Sequence, residues 1–171
     1  MGVIRSLLDW LFAIYFITHI PIAIFFDSQM LLPSWLYPEV ARNTVLWYSK
    51  EYKDPMVVAA PVWFKSFIVC EITMQLPFFF FGAYAFVKGG CRWIRTPLLI
   101  YASHVVTTML PIMAHIMLHD FSKDEPKLPG PSSLEDRLVV LAIYSAYFII
   151  PVMMILRMLL DKEYCGKQKS E

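Results

Sequence analysis

Apolar positions in this chain fall into four long runs, without the period-two alternation of an exposed strand or a one-sided helical stripe. The runs cover roughly 7–27, 66–87, 97–118 and 138–160. About 20 mostly apolar residues suffice to cross a bilayer as a helix, so each run predicts one transmembrane helix. A β-barrel would need short segments of alternating polarity, which these are not. The expected fold is an all-α membrane protein: a bundle of four transmembrane helices over 1–160, with a short tail over 161–171. Each run carries a proline well inside it, at Pro21, Pro77, Pro111 and Pro151. An intramembrane proline bends its helix and frees a backbone carbonyl, so four of them predict a kinked, splayed bundle with internal space.

Composition agrees with the pattern. Of 171 residues, 58% are hydrophobic and 17% charged, with mean hydropathy +0.54. The net charge of +1 leaves no basic stripe for nucleic acid. The first run is read as a retained helix, since it lacks a small-x-small cleavage site and exceeds a signal core in length. Dense basic residues in the short loop KGGCRWIR (Lys88, Arg92, Arg95) contrast with acids in the next connection, among them Asp120, Asp124, Glu125, Glu135 and Asp136. The positive-inside rule then puts that basic loop and both termini in the cytosol. Cys91 and Cys165 would be cytosolic and Cys70 intramembrane, so no disulfide framework is expected. The C-terminal Lys167 and Lys169 form a KxKxx pattern, a retrieval signal of the endoplasmic reticulum.

Between the first two runs lies a long connection rich in Trp and Tyr, including a candidate amphipathic helix over 40–52. Its aromatics suit either a membrane-interface belt or a lid over a pocket. Ser132 with Glu135 reads as a capping box opening the fourth helix. Asp54-Pro55 reads as a turn.

Candidate chemistry is concentrated in two carboxylates. Asp27 ends the first run and Glu71 lies inside the second, and an acid at bilayer depth costs roughly 2.5–3.5 kcal/mol on insertion scales. Asp27 reads either as an interfacial helix-end acid or as half of a site. Antiparallel helices place both acids at similar depth in the luminal half, with Gln75 one turn from Glu71. Two such carboxylates cannot both ionise, so the pair suits a protonated amine on an apolar body, helped by aromatic faces. A sterol hydroxyl is the alternative guest. On the third run, Tyr101, His104, Thr108, His115 and His119 make a polar stripe that reads as interhelical glue or as pocket lining, and Tyr144 and Tyr147 follow on the fourth. His115-x-x-x-His119-Asp120 has metal-ligand spacing without a zincin signature, so no metal and no cofactor is expected.

The stretches YFITHIPIAIFFD (15–27), WYSKEYKDP (47–55), WFKSFIVCE (63–71), QLPFF (75–79) and WIRTP (93–97) closely resemble the EXPERA family, which also holds the emopamil-binding sterol isomerase. The likeness is to its receptor-type members. It implies a membrane protein of the endoplasmic reticulum, with the nuclear envelope and lysosomal membranes as further locations. It implies binding of cationic amphiphiles and of cholesterol or oxysterols, a part in cholesterol homeostasis and sterol trafficking, the Niemann–Pick C1 sterol transporter as partner, and a homodimer within membrane lipid. Asp27 then matches the acid that pairs with the ligand amine, Glu71 its protonated neighbour, and Asp54 a loop acid needed for an intact site. Gln75, Trp47, Phe64, Phe67, Tyr101, Thr108, Tyr144 and Tyr147 match pocket-lining positions; His19 receives no role. A sterol isomerase-like enzyme is the alternative function. It is disfavoured because the isomerases' His/Glu pair, four residues apart, is replaced here by Glu71 and Gln75, and a neutral amide is no base.

Overall fold

A computed structural model describes residues 2–124, 130–161 and 164, with side chains from Leu7 onward. The lysines of the KxKxx tail, with Glu125 and Cys165, lie outside these described positions. Helices are the only regular elements among the described residues. Four stretches are long and apolar enough to cross a membrane: Leu7–Met30, Val62–Lys88, Arg92–Leu118 and Leu134–Leu160. They overlap the four predicted runs and extend each of them by a few residues.

The first helix, α1 (Gly2–Phe25), contains Pro21 and gives way to a 3-10 turn over Asp27–Met30. The connection holds α2 (Glu39–Tyr52), the helix expected over 40–52, opened by Pro38 and stopped by Lys53 in the left-handed region at φ 49°. Asp54 then caps the single turn α3 (Pro55–Val58). The second span is not one continuous α-helix. It comprises α4 (Val62–Cys70), a π-turn over Glu71–Gln75, and α5 (Leu76–Lys88). Pro77 explains the break: it has no N–H for the carbonyl four residues back, and the neighbouring Leu76 N–H bonds the Glu71 carbonyl five residues back. Pro111 and Pro151 lie inside α6 (Arg95–Leu118) and α7 (Leu134–Leu160). Gly89 and Gly90, at φ 70° and 66°, make the tight turn after α5. The capping box of α7 sits one residue later than expected: Ser133 pairs with Asp136, not Ser132 with Glu135.

Packing runs along two helix pairs, α1 with α5 and α6 with α7. One core centres on Phe12, Phe16, Phe79, Phe86, Leu98 and Met154. A second gathers Met56, Phe64, Ile68, Ile112, Ile116 and Val140. Gly82 lets Phe16 lie against the backbone of α5; a Cβ there would stand 2.7 Å from its ring. Near the other end of α1, buried Arg157 pairs with Asp9 at 2.7 Å and lies over the Phe12 ring.

Candidate ligand site

Members of both cores line one internal cavity of about 260 Å³. Its polar pole is assembled by the two irregular turns. Asp27 is the first residue of the 3-10 turn that ends α1, and Glu71 the first of the π-turn. Each turn departs from α-helical register where an acid must be aimed inward, and π-turns inside helices are commonly found at functional sites. His19, on α1 and 8% exposed, joins them: its Nε2 lies 3.3 Å from Glu71 Oε1. One ligating atom each from His19, Asp27 and Glu71 falls within 4.8 Å of the other two. The His19 ring is held edge-on by Tyr15 and Tyr147 and tilted against Phe79.

A third acid closes the cavity from the loop side. Asp54 is fully buried. Its Oδ1 accepts from the Met56 N–H at 2.9 Å, and its Oδ2 from the hydroxyls of Tyr48 at 2.9 Å and Tyr144 at 3.0 Å. One carboxylate therefore caps α3 and ties α2 and α7 together across the cavity. Burial pushes the Asp54 carboxyl above the usual carboxylate range, while the hydrogen bonds from Met56, Tyr48 and Tyr144 partly oppose that rise. Burial and the adjacent Asp54 push the Tyr48 phenol well up.

Of the residues singled out from the sequence, Asp27, Glu71, Asp54, Gln75, Phe64, Phe67, Thr108, Tyr144 and Tyr147 all border this cavity. Trp47 and Tyr101 do not. Trp47 is 57% exposed on the outer face of α2, since the helix turns the next residue, Tyr48, inward. Tyr101 is buried below the cavity, its hydroxyl 3.2 Å from that of Tyr15 and its ring among Phe16, Phe78 and Phe79. Thr108 borders the cavity, yet its hydroxyl bonds the carbonyls of His104 and Val105 on its own helix. Further along α6, His115 and His119 stack at 4.5 Å, and His119 Nε2 meets Asp124 at 2.7 Å. Asp120 turns away to Ser122 and Lys123, so the metal-spaced triplet does not converge.

Sequence reasoning missed His19 and the inward role of Tyr48. The signal for His19 was present: a titratable side chain in the middle of an apolar run, the same criterion that marked Glu71.

The EXPERA family model (expanded EBP superfamily) matches residues 40–158. The chain belongs to the EXPERA family. It is 45% identical over 168 residues to the "Sigma intracellular receptor 2" of Homo sapiens and of Macaca fascicularis, covering 98% of this chain and 96% of each relative. The same-named protein of Xenopus tropicalis is 43% identical over 171 residues, covering 100% of this chain and 99% of the relative. Family and apolar helices together make this a membrane protein.

Proposed function

We propose that this EXPERA protein is a membrane receptor for cationic amphiphiles, the ligand amine pairing with Asp27 and its apolar body filling the cavity. One observation carries the reading. Asp27 and Glu71 share the polar pole of an otherwise mainly apolar cavity, and among the described residues no group donates a hydrogen bond to Asp27. A half-buried carboxylate that faces an apolar cavity without a protein donor is costly, and a protonated amine supplies both the charge and the donor. Neighbouring Tyr147 and Phe64 offer ring faces worth about 0.5–2 kcal/mol to a cation. The cavity volume lies just under the usual range of about 300–1,000 Å³ for ligand sites, which favours a compact amine head. The receptor names of the relatives sharing 43–45% identity support this assignment.

The finer features belong to the same proposal. Cholesterol or oxysterols present a hydroxyl to the same polar pole, and the protein serves sterol trafficking with the Niemann–Pick C1 transporter. It acts as a homodimer in the endoplasmic-reticulum membrane, with both termini cytosolic and the tail at 161–171 as its retrieval signal. The test is equilibrium binding of a radiolabelled cationic amphiphile to membranes holding matched amounts of wild type and Asp27→Asn. Loss of binding in the variant is expected; equal binding would remove Asp27 from the site.

A non-enzymatic role fits the receptor relatives. The isomerase-like alternative gains from one observation: His19 beside Glu71 supplies a His/carboxylate pair across two helices, in place of one on a single helix. Wild type rescuing sterol synthesis in isomerase-deficient cells, with loss on Glu71→Gln, would favour it. Failure to rescue leaves the binding role.

A further inference from the structure

We infer that His19, Asp27 and Glu71 form a divalent transition-metal site, zinc being the best match, whose occupancy excludes an amine from the same cavity. The inference rests on the amine-binding reading for its competitive aspect and on geometry for the metal. The donor set is one imidazole and two carboxylates, a combination suited to Zn²⁺ more than to the all-oxygen preference of Mg²⁺ or Ca²⁺. Three protein ligands with a fourth position open toward a cavity is the arrangement of zinc sites that take up an exogenous ligand, as against closed structural ones.

Distances agree with this. Tetrahedral zinc with bonds of about 2.0–2.1 Å holds neighbouring ligand atoms about 3.4 Å apart. His19 Nε2 and Glu71 Oε1 are already at 3.3 Å. No pair in the trio exceeds 4.8 Å, so the widest separation closes by rotation of a carboxylate about its own side-chain torsions. The imidazole is fixed before any ion arrives: the ring is confined by Tyr15, Phe79 and Tyr147, with Nε2 turned to the acids. Its Nδ1 is buried and has no hydrogen-bond partner. The ring is thus held by packing, not by the outer-shell hydrogen bond usual for zinc histidines, which predicts weak, exchangeable binding in place of a structural site. Asp27 and Glu71 hold two acids against one imidazole, and a dication neutralises both. An amine neutralises one. Both cations need the same carboxylates, so binding of one displaces the other.

The test uses the full chain, purified in detergent and freed of metal, with Co²⁺ as the spectroscopic probe and Zn²⁺ as competitor. Wild type is expected to take up one Co²⁺ with the visible absorption of a four- or five-coordinate site, lost on adding Zn²⁺ and lost again on titrating in a cationic amphiphile. His19→Ala should weaken uptake by more than the about 10–100-fold that removal of an outer-shell partner costs. His19→Gln, which preserves volume, serves if the alanine variant does not fold, and His115→Ala with His119→Ala should leave uptake unchanged. Absence of Co²⁺ uptake by wild type, or uptake abolished by the His115 and His119 changes and not by those at His19, would overturn the metal site. Amine binding by wild type in excess chelator is measured alongside: if it holds while metal uptake fails, the receptor reading stands without the metal, and if amine binding fails, the receptor reading falls by itself.

Discussion

Asp54 separates a strut from a charge partner, and two substitutions at it give opposite results. Asp54→Ala removes the acceptor for the Met56 N–H and for both tyrosine hydroxyls, at 2.9, 2.9 and 3.0 Å. Loss of a helix N-cap costs about 0.5–2 kcal/mol. Each hydroxyl left unpaired out of water costs about 1–3 kcal/mol, and the low end applies because both rings border a cavity. The alanine variant should therefore lose at least about 2.5 kcal/mol and release α2 from α7. Asp54→Asn keeps the oxygen that caps α3 and a polar partner for the hydroxyls, so it should lose about 1 kcal/mol or less. Thermal unfolding of the purified variants, read beside amine binding, checks both. The asparagine variant should bind and melt nearly as wild type does; the alanine variant should lose both properties. Unchanged melting with binding abolished in Asp54→Asn would refute the strut and make Asp54 a direct charge partner of the ligand.

The same residue sets a pH dependence. Burial raises the Asp54 carboxyl above its ordinary value near about 4, so the folded protein holds that proton more tightly than the unfolded chain. Its contribution to stability is fully present below the ordinary value and is lost as pH rises through the raised one; Asp54→Asn should abolish that decline, measured as melting temperature against pH. Gly82→Ala drives a methyl into the Phe16 ring at 2.7 Å and should destabilise by about 1–3 kcal/mol in the same assay, since Phe16 is fully enclosed. Ser133→Ala should cost about 0.5–2 kcal/mol through loss of the α7 cap, and Ser132→Ala almost nothing, because the box belongs to Ser133 and Asp136.

The four spans were legible because bilayer crossing demands long apolar runs, and nothing else in the chain mimics them. The acids were legible for the converse reason, that charge in such a run is expensive. Less visible was the π-turn, since Pro77 announces a disturbance without saying that the freed register will turn Glu71 and Gln75 into the cavity. Trp47 and Tyr101 show the limit of carrying a lining position over by likeness: one helical step puts Trp47 outside and Tyr48 inside. Asp54 looked like a turn residue and is one, capping α3, yet its second oxygen spans 90 residues to Tyr144, a contact no local spacing encodes. His19 belonged to the same apolar run as Asp27 and went unassigned because its partner, Glu71, comes from another helix.

Binding of a cationic amphiphile and of its uncharged carbon isostere, each to wild type and to Asp27→Asn, tests the ion pair with least ambiguity. Wild type should prefer the amine by at least about tenfold, about 1.4 kcal/mol, the lower bound for a hydrogen bond to a charged group. In Asp27→Asn that preference should shrink to near parity, with the isostere bound as before. An equal preference for the amine in both proteins would show that Asp27 does not hold the ligand's charge.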